Sequence, residues 1–117
     1  DVHGGPEIYE EMEEERTVEG GFIYVWEQGD FHPATGLTKR CISFEFRDGT
    51  ELHRIFRYDW RLWTLPELKD ALEEAGFSQV DSYWEGDGDD GEGDGNFRKH
   101  ARGDNCPAWI AYLVAQP

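Results

Sequence analysis

The sequence predicts an α+β fold: antiparallel β-sheet, as a three-stranded meander plus a final strand pair, with one main α-helix. Three observations carry this. Residues 64–75 hold a complete set of helix start and stop signals. Residues 22–58 hold three β-branched and aromatic stretches separated by turn residues. Residues 108–115 form a nearly continuous apolar run. At 117 residues the chain is expected to form one domain over 22–117, preceded by an acidic arm over 1–21.

The arm is Glu-rich, with Glu7, Glu10, Glu11, Glu13, Glu14, Glu15 and Glu19. Only Ile8, Tyr9 and Met12 could anchor it, so a loosely held segment is expected, with a short helix at most. Gly20-Gly21 then opens a strand over 22–28. Residues 29–38 read as a turn region containing Pro33 and Gly36. A second strand runs over about 39–47 and a third over about 50–58, separated by Asp48-Gly49.

Parity selects the hairpin. A two-residue loop would set Phe44 against His53 and mix polar with apolar on both faces. A three-residue loop, Arg47-Asp48-Gly49 with Gly49 left-handed, sets Phe44 against Leu52 and Phe46 against Thr50. Ile42, Phe44, Phe46, Leu52, Phe56 and Tyr58 then share one face, with Cys41, Ser43, Glu45, His53 and Arg57 on the other. A slip of one residue would expose the apolar face.

The helix over 64–75 starts at Thr64. Its hydroxyl can accept from the backbone N–H of Glu67, and Glu67 can reach back to complete a capping box. Pro66 lies in the first turn, where its missing N–H costs nothing. Leu65, Leu68, Leu72 and Ala75 share one face, Trp63 and Leu68 occupy hydrophobic-staple positions, and Gly76 suits a left-handed stop. A strand follows over 77–84, then an acidic loop over 85–106. The strand over 108–115 reads as buried and central.

The net charge is −15, and its placement is uneven. Residues 1–20 hold eight acids and one Arg; residues 81–96 hold seven acids and no base. Such charge disfavours nucleic acid and anionic membranes as partners. There is neither an 18-residue apolar run nor a signal-peptide pattern. Cys41 and Cys106 are far apart in sequence and lack metal-ligand spacing, which reads as a reduced intracellular pair in a cytoplasmic protein. The run from Gly86 to Asn96 invites a calcium reading. In the EF-hand register from Asp90, Glu92, Asp94 and Gly95 fit, but Ala101 stands where the bidentate Glu must be. No metal site is therefore expected.

Several motifs also carry a resemblance. They are the Thr64-Leu65-Pro66-Glu67-Leu68 helix start, the Ala75-Gly76-Phe77 helix end and the strand after it. Together they are similar to the last large helix and sixth strand of class I S-adenosylmethionine-dependent methyltransferases. Tyr58-Asp59-Trp60-Arg61-Leu62-Trp63 and Pro107-Ala108-Trp109-Ile110-Ala111-Tyr112 resemble the small-molecule branch of that family. Asp1-Val2-His3-Gly4-Gly5 looks like the exit of the family's fifth strand. The resemblance implies the C-terminal part of a Rossmann-like methyltransferase fold. It also implies that the last strand lies between the fifth and sixth.

The family's cofactor sits on a Gly-rich turn between a strand and a helix, where the backbone must approach closely. This sequence has no such turn, and it begins at Asp1 without an initiator Met. The expectation is a fragment or separately expressed portion. S-adenosylmethionine would belong to the intact parent enzyme, with none bound by this chain and no cofactor-binding residue in it. The expected partners are the missing N-terminal half, or a second copy recruited through an unpaired edge of the strand at 109–114. A small-molecule acceptor completes the set.

Methyl transfer is an in-line displacement at a sulfonium carbon, so the protein mainly aligns the reactants and excludes water. By position, the resemblance implies Tyr24, Trp26, Arg57, Tyr58, Trp60, Arg61 and Trp63 as acceptor-binding residues. Aromatic faces could hold a cation or planar acceptor, and Arg a carboxylate. His3, near the cofactor end of the family's fifth strand, is the candidate base. The competing reading is a stand-alone, non-catalytic module that binds a small molecule.

Overall fold

The computed structural model describes residues 1–89 and 93–117. Asp90, Gly91 and Glu92, which open the tested calcium register, lie outside the described residues. The chain separates into two compact units: Tyr9–Leu62, and a second made of Asp1–Ile8 with Trp63–Pro117.

The fold is mostly β, which corrects the α+β, Rossmann-like expectation. Among the described residues there are two four-stranded sheets in which every strand pair is antiparallel, and no Rossmann-like parallel sheet. The reason lies in two segments whose composition hides strands. Met12–Val18, expected in a loosely held arm, is strand β2. Gly93–Lys99, expected in the acidic loop, is a strand as well. Both are rich in Glu or Gly, residues of low β-propensity, and pairing to a neighbour overrides that propensity.

In the unit Tyr9–Leu62, β2 pairs with β3 (Phe22–His32), β3 with β4 (Leu37–Phe46), and β4 with β5 (Glu51–Arg61). The β4–β5 hairpin takes the three-residue loop. Phe44 faces Leu52, the Phe46 N–H donates to the Thr50 carbonyl at 2.9 Å, and Gly49 has φ 88°. A bulge then sets His53, Arg54 and Ile55 against Ser43 alone, with Arg54 at φ 47°. Two extra residues leave parity unchanged, so Phe56 faces Ile42 and the apolar side of the strand is preserved. The Arg54 N–H, turned out of the ladder, donates to the Ser43 hydroxyl at 2.8 Å.

The other unit holds β1 (Val2–Gly4), α1 (Leu65–Glu74), β6 (Gln79–Asp87), β7 (Gly93–Lys99) and β8 (Trp109–Gln116). The sheet order is β1-β8-β6-β7. Val2–Gly4 pairs with Ala111 to Trp109, so the edge expected to be unpaired over 109–114 is covered over 109–111. Val2, Val80 and Ala111 are buried on this sheet. The Trp84 and Trp109 rings meet at 4.8 Å, and Phe97 meets Tyr112 edge-on at 4.6 Å.

The helix has both ends closed. The Glu67 N–H donates to Thr64 Oγ1 at 3.3 Å and the Thr64 N–H donates to Glu67 Oε1 at 3.1 Å, forming the capping box. Gly76, at φ 105°, donates to the Glu73 carbonyl and Phe77 donates to the Leu72 carbonyl, which is a Schellman stop.

Candidate functional site

The alternation of the Tyr9–Leu62 sheet sorts its side chains into two faces. Register places Phe22 against Phe46, Tyr24 against Phe44 and Trp26 against Ile42. Across the next ladder Ile42 faces Phe56, Arg40 faces Tyr58 and Thr38 faces Trp60. One face is therefore a continuous aromatic surface. Its rings touch: Tyr24 with Phe44 at 6.1 Å, Trp26 with Trp60 at 6.0 Å, Tyr58 with Trp60 at 5.5 Å, and Phe44 with Phe56 at 6.4 Å. Much of it stays open to solvent, with Phe56 49% exposed.

One charged side chain lies inside this surface. Arg40 is 2% exposed, its guanidinium 6.0 Å from the centre of the Trp60 ring and hydrogen-bonded to Thr38 Oγ1. Burial pushes its pKa below the ordinary guanidinium value. Glu14 and Arg16 of β2 stand opposite Trp26 and Tyr24 on the same face. The Tyr24 phenol is pushed up chiefly by burial, with Arg16 opposing, so at neutral pH it remains a protonated hydrogen-bond donor.

The structure therefore gathers four of the seven expected acceptor-binding residues, Tyr24, Trp26, Tyr58 and Trp60, on one face. Arg57 and Arg61 alternate to the opposite side of β5, facing Cys41 and Leu37 across the ladder. Arg57 Nε donates to the Arg54 carbonyl at 3.2 Å. Trp63 belongs to the other unit, directly before the helix cap, and is 38% exposed. His3 also lies in that unit, on β1, with Nε2 3.3 Å from Asp1 Oδ2.

Arg40, Thr38 and Phe44 complete the aromatic surface and were not among the expected contacts. Thr38 closes the expected turn region and enters the strand only because β4 extends back to Leu37, whereas Arg40 lies within the expected strand over about 39–47. The alternation Thr38, Arg40, Ile42, Phe44 was the signal available.

The opposite face of the sheet carries a groove of about 480 Å³. Its walls include Glu11, Glu13, Glu27, Lys39, Cys41 and Arg54. Arg54 spans Glu27 with two hydrogen bonds, at 3.1 and 3.2 Å. Glu11 is raised by its hydrogen bond to Asp30, then by that carboxylate's charge. Arg54 and Glu27 pair opposite charges across the groove, whereas Glu11 and Asp30 are two carboxyls sharing a hydrogen bond. Both cysteines are free thiols.

Among the described residues no group of three or more His, Cys, Asp or Glu could hold a metal ion, and no helix is long and apolar enough to cross a membrane. Searches for family models, curated proteins and solved structures matching this chain found none.

Proposed function

We propose that this chain is the acceptor-covering portion of a cytoplasmic, S-adenosylmethionine-dependent small-molecule methyltransferase, with cofactor binding supplied by other parts of the parent protein. The observation that carries the reading is the gathering of Tyr24, Trp26, Tyr58 and Trp60 on one half-open aromatic face. A planar or cationic acceptor stacks on such a face, is held against a methyl donor, and is shielded from water. No general base is assigned there. Positioning and water exclusion are what these residues supply, which suits a reaction whose acceptor lone pair is already available.

The test uses the full coding sequence that contains this chain, assayed for methyl transfer from S-adenosylmethionine to a panel of aromatic and amine acceptors. Trp60→Ala is expected to raise the acceptor KM by about tenfold and leave the cofactor KM unchanged. Saturable binding of S-adenosylhomocysteine to the isolated chain would overturn the proposal. So would a full coding sequence without a Gly-rich cofactor half, which would favour the non-catalytic binding module.

A further inference from the structure

Among the described residues, the Tyr9–Leu62 sheet ends in two outer strands, β2 and β5. They differ as templates for another strand. β2 presents Glu13, Glu14 and Glu15 in succession, so antiparallel self-pairing centred on that run opposes Glu to Glu. β5 is eleven residues long, mixes both signs of charge, and exposes Leu52, Ile55 and Phe56 by 45%, 51% and 49%. Long, apolar, exposed edges recruit strands.

The geometry of β5 selects how it can meet itself. The Leu62 N–H donates to the Gly36 carbonyl at 2.8 Å, so even-numbered residues here form the hydrogen-bonded pairs with β4. Alternation then turns the backbone groups of Arg57 and Asp59 outward. A second copy approaching antiparallel must bond odd residue to odd residue. The bulge at His53–Arg54–Ile55 breaks the edge on one side, which confines regular pairing to the residues beyond it.

Charge and length discriminate among the registers left, which centre on Arg57, Tyr58, Asp59 or Trp60. Centring on Arg57 sets Arg57 against its own copy. Centring on Asp59 sets Asp59 against Asp59 and Arg57 against Arg61. Centring on Tyr58 sets Arg57 against Asp59 twice on the polar face, and Phe56 against Trp60 twice on the aromatic face. Centring on Trp60 also opposes unlike charges, Asp59 to Arg61, but keeps only Asp59–Arg61 of β5 in the ladder; the Tyr58 register opposes unlike charges and also joins Phe56 to Trp60 along the regular edge.

We propose that this chain self-associates through the outer edge of β5, antiparallel about a two-fold axis at Tyr58, extending each four-stranded sheet into an eight-stranded one. The interface is isologous, and the Arg57 and Asp59 backbones exchange N–H···O bonds reciprocally. The two aromatic faces become one continuous surface, and Phe56 gains the cover it lacks. The inference is independent of the acceptor assignment, since it concerns the strand edge.

Sedimentation of the purified chain over a concentration series tests it, alongside oxidative cross-linking of Tyr58→Cys in a Cys41→Ser, Cys106→Ser background. Residues directly opposed in a non-hydrogen-bonded antiparallel pair lie about 4.5 Å apart at Cα, close enough for a disulfide. The expected result is a dimer that cross-links at position 58. Arg57→Asp and Asp59→Arg should each weaken it by about tenfold, and the double exchange should restore it. Both charge variants lie on an exposed edge, and circular dichroism confirms that they fold. A chain that stays monomeric throughout, a dimer without the cross-link, or a double exchange that fails to rescue overturns the proposal.

Discussion

The two sheets have the same number of strands and are built by opposite routes. In the Tyr9–Leu62 sheet, spatial order follows chain order, β2-β3-β4-β5, and every connection is a hairpin. The other sheet, β1-β8-β6-β7, joins a three-residue strand near the start of the chain to the last strand. A meander is specified by local turns and alternation, so each hairpin carries its own register. A sheet that joins chain-distant strands closes a long loop before it gains a contact, so close packing must hold it. The difference teaches where each is vulnerable: the meander at its turns, the other sheet at its tightest contacts.

The largest effect expected from this contrast is at Gly4. It is buried on β1, and a side chain there would run into the indole ring of Trp109. Gly4→Leu should destabilise the β1-β8-β6-β7 sheet by about 3 kcal/mol, the upper end for forced overpacking. Hydrogen exchange read by mass spectrometry separates the regions. Protection should fall over Gln79–Asp87 and Trp109–Gln116 while Phe22–His32 and Leu37–Phe46 keep theirs. Equal loss in both sheets would mean that they unfold together and that the contrast is one of construction alone.

A smaller effect is expected at the meander's turn. Gly49 has φ 88°, and a Cβ there would meet no atom within 4 Å. Gly49→Ala therefore isolates the backbone cost of a left-handed residue, about 1 kcal/mol. Denaturant unfolding followed through Trp26 and Trp60 should shift by that amount without a change in slope. A shift several times larger would mean that the turn also holds the register of β5.

This contrast also explains what could be read from the sequence. The β4–β5 loop, the Phe44–Leu52 pairing, the Thr64 capping box and the Gly76 stop depend on residues close in sequence, and turn chemistry or parity determines them. The fold class was misread because β2 and β7 carry no such signature. Glu13-Glu14-Glu15 and Gly93-Asp94-Gly95 argue for solvent and become strands only because β3 and β6 offer them hydrogen-bonding edges. The β5 bulge was invisible for the same reason: nothing local in His53-Arg54-Ile55 announces a left-handed Arg. In the candidate site, Tyr24, Trp26, Tyr58 and Trp60 were named by position through the resemblance, and strand alternation is what sorts them onto one face. Arg40 was not, since charge argues against burial until the rings around it are in place.

The smallest effect sharpens the comparison from the acid side. Asp81 on β6 accepts from Lys99 on β7 at 2.9 Å and also from Gln79. Its carboxyl is held below the ordinary value of 3.8, first by the hydrogen bond from Lys99 and then by that from Gln79. Because the folded value is the lower one, the stabilisation is fully present above the unfolded value near 3.8. It disappears as pH falls through the folded value. Lys99 is raised in return, chiefly by the same hydrogen bond, so its share is present below its ordinary 10.5 and lost at higher alkaline pH. Asp81→Asn should therefore flatten the acid limb of the stability profile below pH 3.8 and leave the profile between pH 5 and 8 with its wild-type slope. The pair is exposed and salt screens it, so 1 M salt should shrink the difference between wild type and variant. The Tyr9–Leu62 sheet has its own acid-sensitive carboxyl of the opposite sign. Glu11 is raised by Asp30, so its contribution grows on acidification and is lost as pH rises through its folded value. Asp48 in the β4–β5 turn is held low by its hydrogen bonds from Thr50, so acid weakens that turn as well. Hydrogen exchange at pH 3 against pH 6, corrected for intrinsic rates, should show protection falling in β6 and β7 and, within the Tyr9–Leu62 sheet, only beside the Asp48 turn; loss spread through β2 and β3 would overturn this.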